Sequence, residues 1–292
     1  MSRKTDLTTL SQFLALEQYE WGNIVRFHDN ILDMADDVYA LDSFHSLLND
    51  LAHRPGVPLA FWAANGCFSP ERCNALLKKL ADADGRKKRH DAAPSPLCRL
   101  TMMREENVWG GLTRWLRGAK RPTIMVYQGA VALPFLGIGL ACDFRIAAHD
   151  TTFFNHGQDL DMPPVAGLLY LLPAYIGLGR ANDLVLRGKE LSTQSAREWG
   201  LLSEVVAPEE LEHTLVTVAA ELSCFSAETL DTIKHLLSHR LPSVDSYLAV
   251  EGQGLDKALW TRPWDKIKNG GVEEAPLPEA RPAPGDASTK DS

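Results

Sequence analysis

The chain has 292 residues, 45% hydrophobic and 23% charged, with a formal net charge of -8 and a pI near 5.6. That composition suits a globular protein with a large core and excludes a fibrous or wholly disordered chain. The acidic balance excludes general affinity for the phosphate backbone of nucleic acid, which needs a basic face. Cysteines at 67, 73, 98, 142 and 224 are odd in number and have no metal-type CxxC spacing, so reduced thiols are expected, with Cys142 and Cys224 in the core. The N-terminal MSRKTDLTTLSQF has no apolar run of signal-peptide length, and apolar runs elsewhere are broken well short of a bilayer span. A cytoplasmic protein with no membrane partner is expected.

Trp21 to His28 reads as a short β-segment, and apolar residues from Val38 onward recur at helical spacing. Val57 to Ala64 is an apolar run of strand length ended by Asn65-Gly66. A helix follows, with Ser69 as N-cap and Pro70 at its first position. The polar, basic stretch Asp82 to Pro96 reads as a surface loop, and Leu97 to Gly118 is again helical. Next come strand Thr123 to Tyr127, the turn Gln128-Gly129, a small-residue helix near Pro134 to Ala141, and strands Asp143 to Ala148 and Thr151 to Asn155. Helices are predicted at Pro163 to Ile176, Ala181 to Arg187 and Thr193 to Trp199, then at Glu209 to Leu222, Ala227 to His239 and Val244 to Leu259. Beyond Gly270 too little apolar content remains to offset ordering entropy, which predicts a disordered tail. Strands alternating with helices predict an α/β domain with a largely parallel sheet.

Two stretches carry more than periodicity. Gln128-Gly129, Val131-Ala132 and Cys142-Asp143 form one register; Gly188, Leu191-Ser192, Ala196, Gly200-Leu201 and Val205-Val206 form another. Together they resemble the crotonase superfamily, the enoyl-CoA hydratase/isomerase family, over roughly residues 20 to 270. The resemblance implies a crotonase-like ββα spiral core over residues 1–200, a helical C-terminal trimerisation region over 201–270, and a tail over 271–292. It also implies a homo-oligomer, trimer or hexamer, with Trp260 and Trp264 near a subunit contact.

The family resemblance further implies an acyl-CoA ligand and no cofactor beyond coenzyme A itself. In that family two backbone N–H groups form an oxyanion hole and two carboxylates move protons. The oxyanion positions fall on Ser69 and Pro134, and proline has no N–H to give. The two glutamate positions fall on Gly137 and on Gln158 or Gly157, so ordinary hydration is disfavoured. Asp159, Asp161 and His156 are the nearby titratable substitutes, with Gln158 able to orient a water or carbonyl. Phe68, Leu133, Phe135 and Gly137 flank the substrate position, and Lys87 and Arg89 in GRKKRH can pair with the CoA phosphates. Cys67, Glu71 and Cys73 read as structural, and Trp109 and Trp115 as core or contact residues. Three readings stay open: an acyl-CoA isomerase, lyase or thioesterase with an altered residue set; a non-catalytic acyl-CoA binder, a pseudoenzyme; or an assembly subunit.

Overall fold

The computed structural model describes residues 8–52, 57–84, 96–155, 163–223, 225–238 and 243–261. Its main sheet has the order β1-β2-β3-β4-β6-β9: β1 (Leu14–Gln18), β2 (Asn23–Phe27), β3 (Leu59–Ala63), β4 (Thr123–Tyr127), β6 (Phe144–Ala148) and β9 (Glu204–Val206). Only β1 runs antiparallel to its neighbour; the other ladders are parallel, as the strand–helix alternation predicted. β5 (Ala130–Ala132), β7 (Thr152–Phe154) and β8 (Leu191–Ser192) form a second, three-stranded sheet.

Parallel strands buried on both faces need apolar residues in both alternating sets, and β2, β3 and β4 have them. Val25, Phe27, Phe61, Met125 and Tyr127 join the larger core cluster. Ile24, Ala60, Trp62, Ile124, Val126 and Ile146 face the other way, onto α7 (Leu211–Leu222) through Leu211, Leu215 and Ala219. Residues past 200 therefore complete both the sheet, through β9, and one of its covering layers.

The larger core is roofed by α1 (Val38–Ala52), α2 (Pro70–Asp84), α3 (Pro96–Gly118), α4 (Leu133–Leu140) and α5 (Leu168–Leu186). α6 (Thr193–Glu198), α8 (Ala227–Ser238) and α9 (Val244–Thr261) complete the helices, α6 capped by the Ser192 side chain accepting from Ser195 N–H. The predicted helices over 163–176 and 181–187 are one run that starts only at Leu168 and breaks at Gly177 (φ 75°, ψ 159°). Pro163-Pro164 and the left-handed backbone of Ala166 (φ 62°) and Gly167 (φ 75°) delay its start. Among the described residues no helix is long and apolar enough to cross a membrane.

Buried Arg121 ties the N-terminal ends of the strands together. Its guanidinium donates to the carbonyls of Leu51 (3.0 Å), Val57 (2.7 Å) and Pro58 (3.0 Å) and to Asn23 Oδ1 (3.1 Å). Asp143, predicted to head β6, stands beside it: one oxygen accepts from Thr123 N–H (2.8 Å), Thr123 Oγ1 (3.0 Å) and Lys234 Nζ (2.6 Å). Arg121→Met keeps the apolar stem but takes the donor from Leu51 O and Asn23 Oδ1 and one of two donors from Pro58 O, so it should cost on the order of 3 kcal/mol. Urea unfolding of the two proteins checks this.

Candidate functional site

Two turns that the sequence placed at the site lie side by side. Ala132 N–H donates to Phe68 O (3.1 Å), joining the loop before α2 to the entry of α4. The Phe68 and Phe135 rings stack at 3.8 Å and 7°, and Trp109 meets both edge-on, at 5.9 and 5.3 Å. α4 is fixed from three sides. Tyr127 Oη donates to Phe135 O (2.8 Å), and the buried Arg145 donates to Cys142 O (2.9 Å) and Leu201 O (2.5 Å) at the far end. Against α5, Gly137 lies so close that a Cβ there would meet Leu168 Cα at 2.9 Å. That approach is possible only without a side chain.

A cavity of about 340 Å³ opens beside these turns. Its walls are α2 (Cys73, Leu77), α3 (Met102, Glu105, Trp109), Pro134-Phe135, the segment 163–166, and α9 (Leu248, Glu251, Leu255). The size lies at the lower end of ligand pockets, which run from about 300 to 1,000 Å³. One wall is under strain: Ala166 holds a left-handed backbone rare for a residue with a side chain, kept there by Thr113 Oγ1 donating to its carbonyl (3.1 Å). The next residue, Gly167, donates its N–H to Glu251 Oε1 (3.1 Å). Burial raises the Glu251 carboxyl above the ordinary carboxylate range, against a hydrogen bond from Tyr247 and that of the Gly167 amide.

The most perturbed carboxyl in the cavity is Glu105, 7% exposed. Trp109 Nε1, one turn on, donates to its Oε2 (2.8 Å), while Oε1 is buried with no hydrogen-bond partner among the described residues. Burial raises its pKa to about 8, the Trp109 hydrogen bond and the Lys79 charge opposing and the Asp33 charge assisting. Glu105 is therefore mostly a neutral acid at pH 7. The thiols of Cys67, Cys73 and Cys142 are each raised to about 12 by burial, which makes them inert protonated core groups. Glu71 is exposed and lowered chiefly by a hydrogen bond from the Ser69 side chain.

Of the residues that the sequence placed at the site, Pro134 and Phe135 line the cavity. Phe68, Leu133 and Gly137 are buried behind its wall, and Ser69 lies outside the lining with its N–H given to Gly66 O at 3.2 Å. His156, Gly157, Gln158, Asp159, Asp161, Lys87 and Arg89 lie outside the described residues, as do Cys224 and Trp264. Glu105 was missed in the sequence, where it passed as one polar residue of a helix. The signal was there: it follows Met102 by three and precedes Trp109 by four, which puts a carboxyl on the helix's apolar stripe.

The model of the family described as Enoyl-CoA hydratase/isomerase matches residues 104–259, more than half of the chain. The chain belongs to this enoyl-CoA hydratase/isomerase, or crotonase, family. An enoyl-CoA hydratase from Bacillus halodurans superposes with a TM-score of 0.69 at 15% identity, over 89% of this chain and 100% of that one. Methylmalonyl-CoA decarboxylase in complex with 2-nitronate-propionyl-CoA gives 0.66 at 20% identity, over 90% and 96%. These likenesses show the crotonase fold. Trans-2-decenoyl-[acyl-carrier-protein] isomerase of Streptococcus mutans is 34% identical over 122 residues, 42% of this chain and 46% of that protein. 1,2-Epoxyphenylacetyl-CoA isomerase of Escherichia coli is 31% identical over 150 residues, 51% and 57%. The chain thus spans about half the length of the curated relatives it matches.

Protonation of Glu105 gives this crotonase-family member a defined pH response. Between pH 4.5, the ordinary glutamate value, and about 8, the folded chain keeps a proton that the unfolded chain has lost. Stability contributed by the neutral acid is present at the acid end of that window and is lost as pH rises through it. Glu251 adds a slope of the same sign, so the comparison is with Glu105→Gln. The wild type should lose on the order of a few kcal/mol more than that variant between pH 5 and 8.5, measured by denaturant unfolding.

Proposed function

We propose that this crotonase-family chain binds an acyl thioester with the acyl portion in the 340 Å³ cavity, and that two-glutamate hydration is not its reaction. The observation that carries this is the packing of Gly137: the position where relatives are expected to hold a glutamate is pressed against the Leu168 backbone, with no room for a side chain. Pro134 supports the same reading, because it brings a residue without an N–H to the cavity wall where an oxyanion donor is expected. The ligand class is supported by the family and by relatives whose names specify acyl-CoA or acyl-carrier-protein thioesters.

A second reading adds turnover of the isomerase type. One relative is named a trans-2-decenoyl-[acyl-carrier-protein] isomerase, and moving a double bond requires a proton taken and returned rather than a water activated on one face and a proton delivered by a partner acid. Conversion of a 3-enoyl-CoA to its conjugated isomer would establish it.

Medium-chain acyl-CoAs should raise the melting temperature in proportion to the logarithm of ligand concentration, while purified protein leaves crotonyl-CoA unhydrated. Gly137→Glu should not restore hydration. Instead it should destabilise the fold by about 3 kcal/mol or more, because α4 and α5 must part to admit the side chain. Absorbance at the enoyl-thioester band and thermal unfolding test both halves, and brisk hydration of crotonyl-CoA by the wild type would overturn the reading.

A further inference from the structure

Glu105 sits in the cavity with an unfinished hydrogen-bonding arrangement. An indole N–H can only donate, so Oε2, which receives it, is the acceptor oxygen of the carboxyl. A carbonyl oxygen accepts better than a hydroxyl oxygen, so in the neutral acid the proton is best placed on Oε1, the buried oxygen that has no partner among the described residues. A buried O–H without an acceptor is costly, and natural cores retain few of them. Trp109, which fixes the carboxyl, is itself held edge-on against Phe135, next to Pro134 at the entry of α4. Glu105 and Pro134, the residue lacking an N–H, line the same cavity, and a turn of the Glu105 carboxyl toward it would bring the enclosed Oε1 to a ligand.

We propose that Glu105 is a ligand-contacting residue whose carboxylic O–H donates a hydrogen bond to the carbonyl oxygen of the bound acyl thioester, supplying the donor that Pro134 cannot. The inference rests on the thioester reading above and names the group that recognises the thioester. An acid kept neutral by an apolar site is suited to this, because it stabilises charge developing on an oxygen without bringing a negative charge beside it. Its protonation has few competitors nearby. α2 presents Cys73 and Lys79, the latter ion-paired with Asp36; the 3-10 helix Ile31–Asp36 presents Asp33; α4 has no titratable side chain. α9 brings Glu251 and Asp245 to the cavity, and α3 itself adds Glu106 and Arg114, which pairs with Asp245.

The test compares decanoyl-CoA with S-decyl-CoA, a thioether of equal chain length that has no carbonyl, by isothermal titration calorimetry at pH 6 and pH 9. The wild type should prefer the thioester by about tenfold at pH 6, the scale of one good hydrogen bond, and lose most of that preference at pH 9. Glu105→Leu should show no preference at either pH. Glu105→Gln, which keeps an N–H donor, should retain part of it with no pH dependence, which separates Glu105 from Glu251. A preference that survives Glu105→Leu, or that in the wild type ignores pH, overturns the proposal while leaving thioester binding intact. Failure of the wild type to bind either compound overturns the thioester reading and this inference with it. If Glu105→Leu does not fold, the wild-type pH comparison and the Gln variant decide.

Discussion

The close approach of Gly137 to Leu168 is the contact on which the rest of this site depends. With Tyr127 holding the Phe135 carbonyl and Arg145 holding the carbonyl end, it fixes α4 in one position on the sheet. A helix entry held that rigidly presents Pro134 and Phe135 to the cavity and hides Gly137 behind them. At position 137 structural tightness and the lack of a carboxylate are the same fact, since a side chain there has no volume to occupy. The neighbouring Phe68–Phe135 stack joins the two turns on which the family resemblance places its oxyanion donors.

Desolvation then governs the chemistry that is left. The cavity removes Glu105 from water without giving it a cationic partner close enough to hold it ionised, so the group keeps its proton. The same burial leaves three cysteines as packing residues and raises Glu251 on the opposite wall. Walls of Leu77, Met102, Trp109, Phe135, Leu248 and Leu255 around the protonated Glu105 suit an uncharged acyl chain.

Much of the fold was legible because it follows from periodicity and punctuation. Apolar runs at 59–63 and 123–127, too short for helices and ended by turn residues, read as strands covered on both faces, and Ser69-Pro70 is a helix-start signal by residue type. β1 escaped because LALEQ is an edge strand with only its first residue buried, a weak pattern on its own. The start of α5 was placed five residues early, since apolar content around Pro163 to Ala166 reads as helix until the left-handed backbone of Ala166 and Gly167 is seen. Pro134 as a residue without a donor was readable from its type alone. Glu105 was readable only as a carboxyl sharing a helix face with Met102 and Trp109, and whether that face meets water or an apolar wall is decided by residues far along the chain.

Sequence by itself determined the family register, the alternation of the central strands with helices and the missing amide hydrogen, because each is a property of residue identity and local spacing. Only the tertiary structure decided that Gly137 packs on Leu168 and that α2, α3 and α9, whose described residues span positions 70 to 261, enclose one cavity around Glu105. The reason is physical: a carboxyl's charge state depends on the dielectric and partners around it, and those are assembled by contacts between segments that no local pattern records.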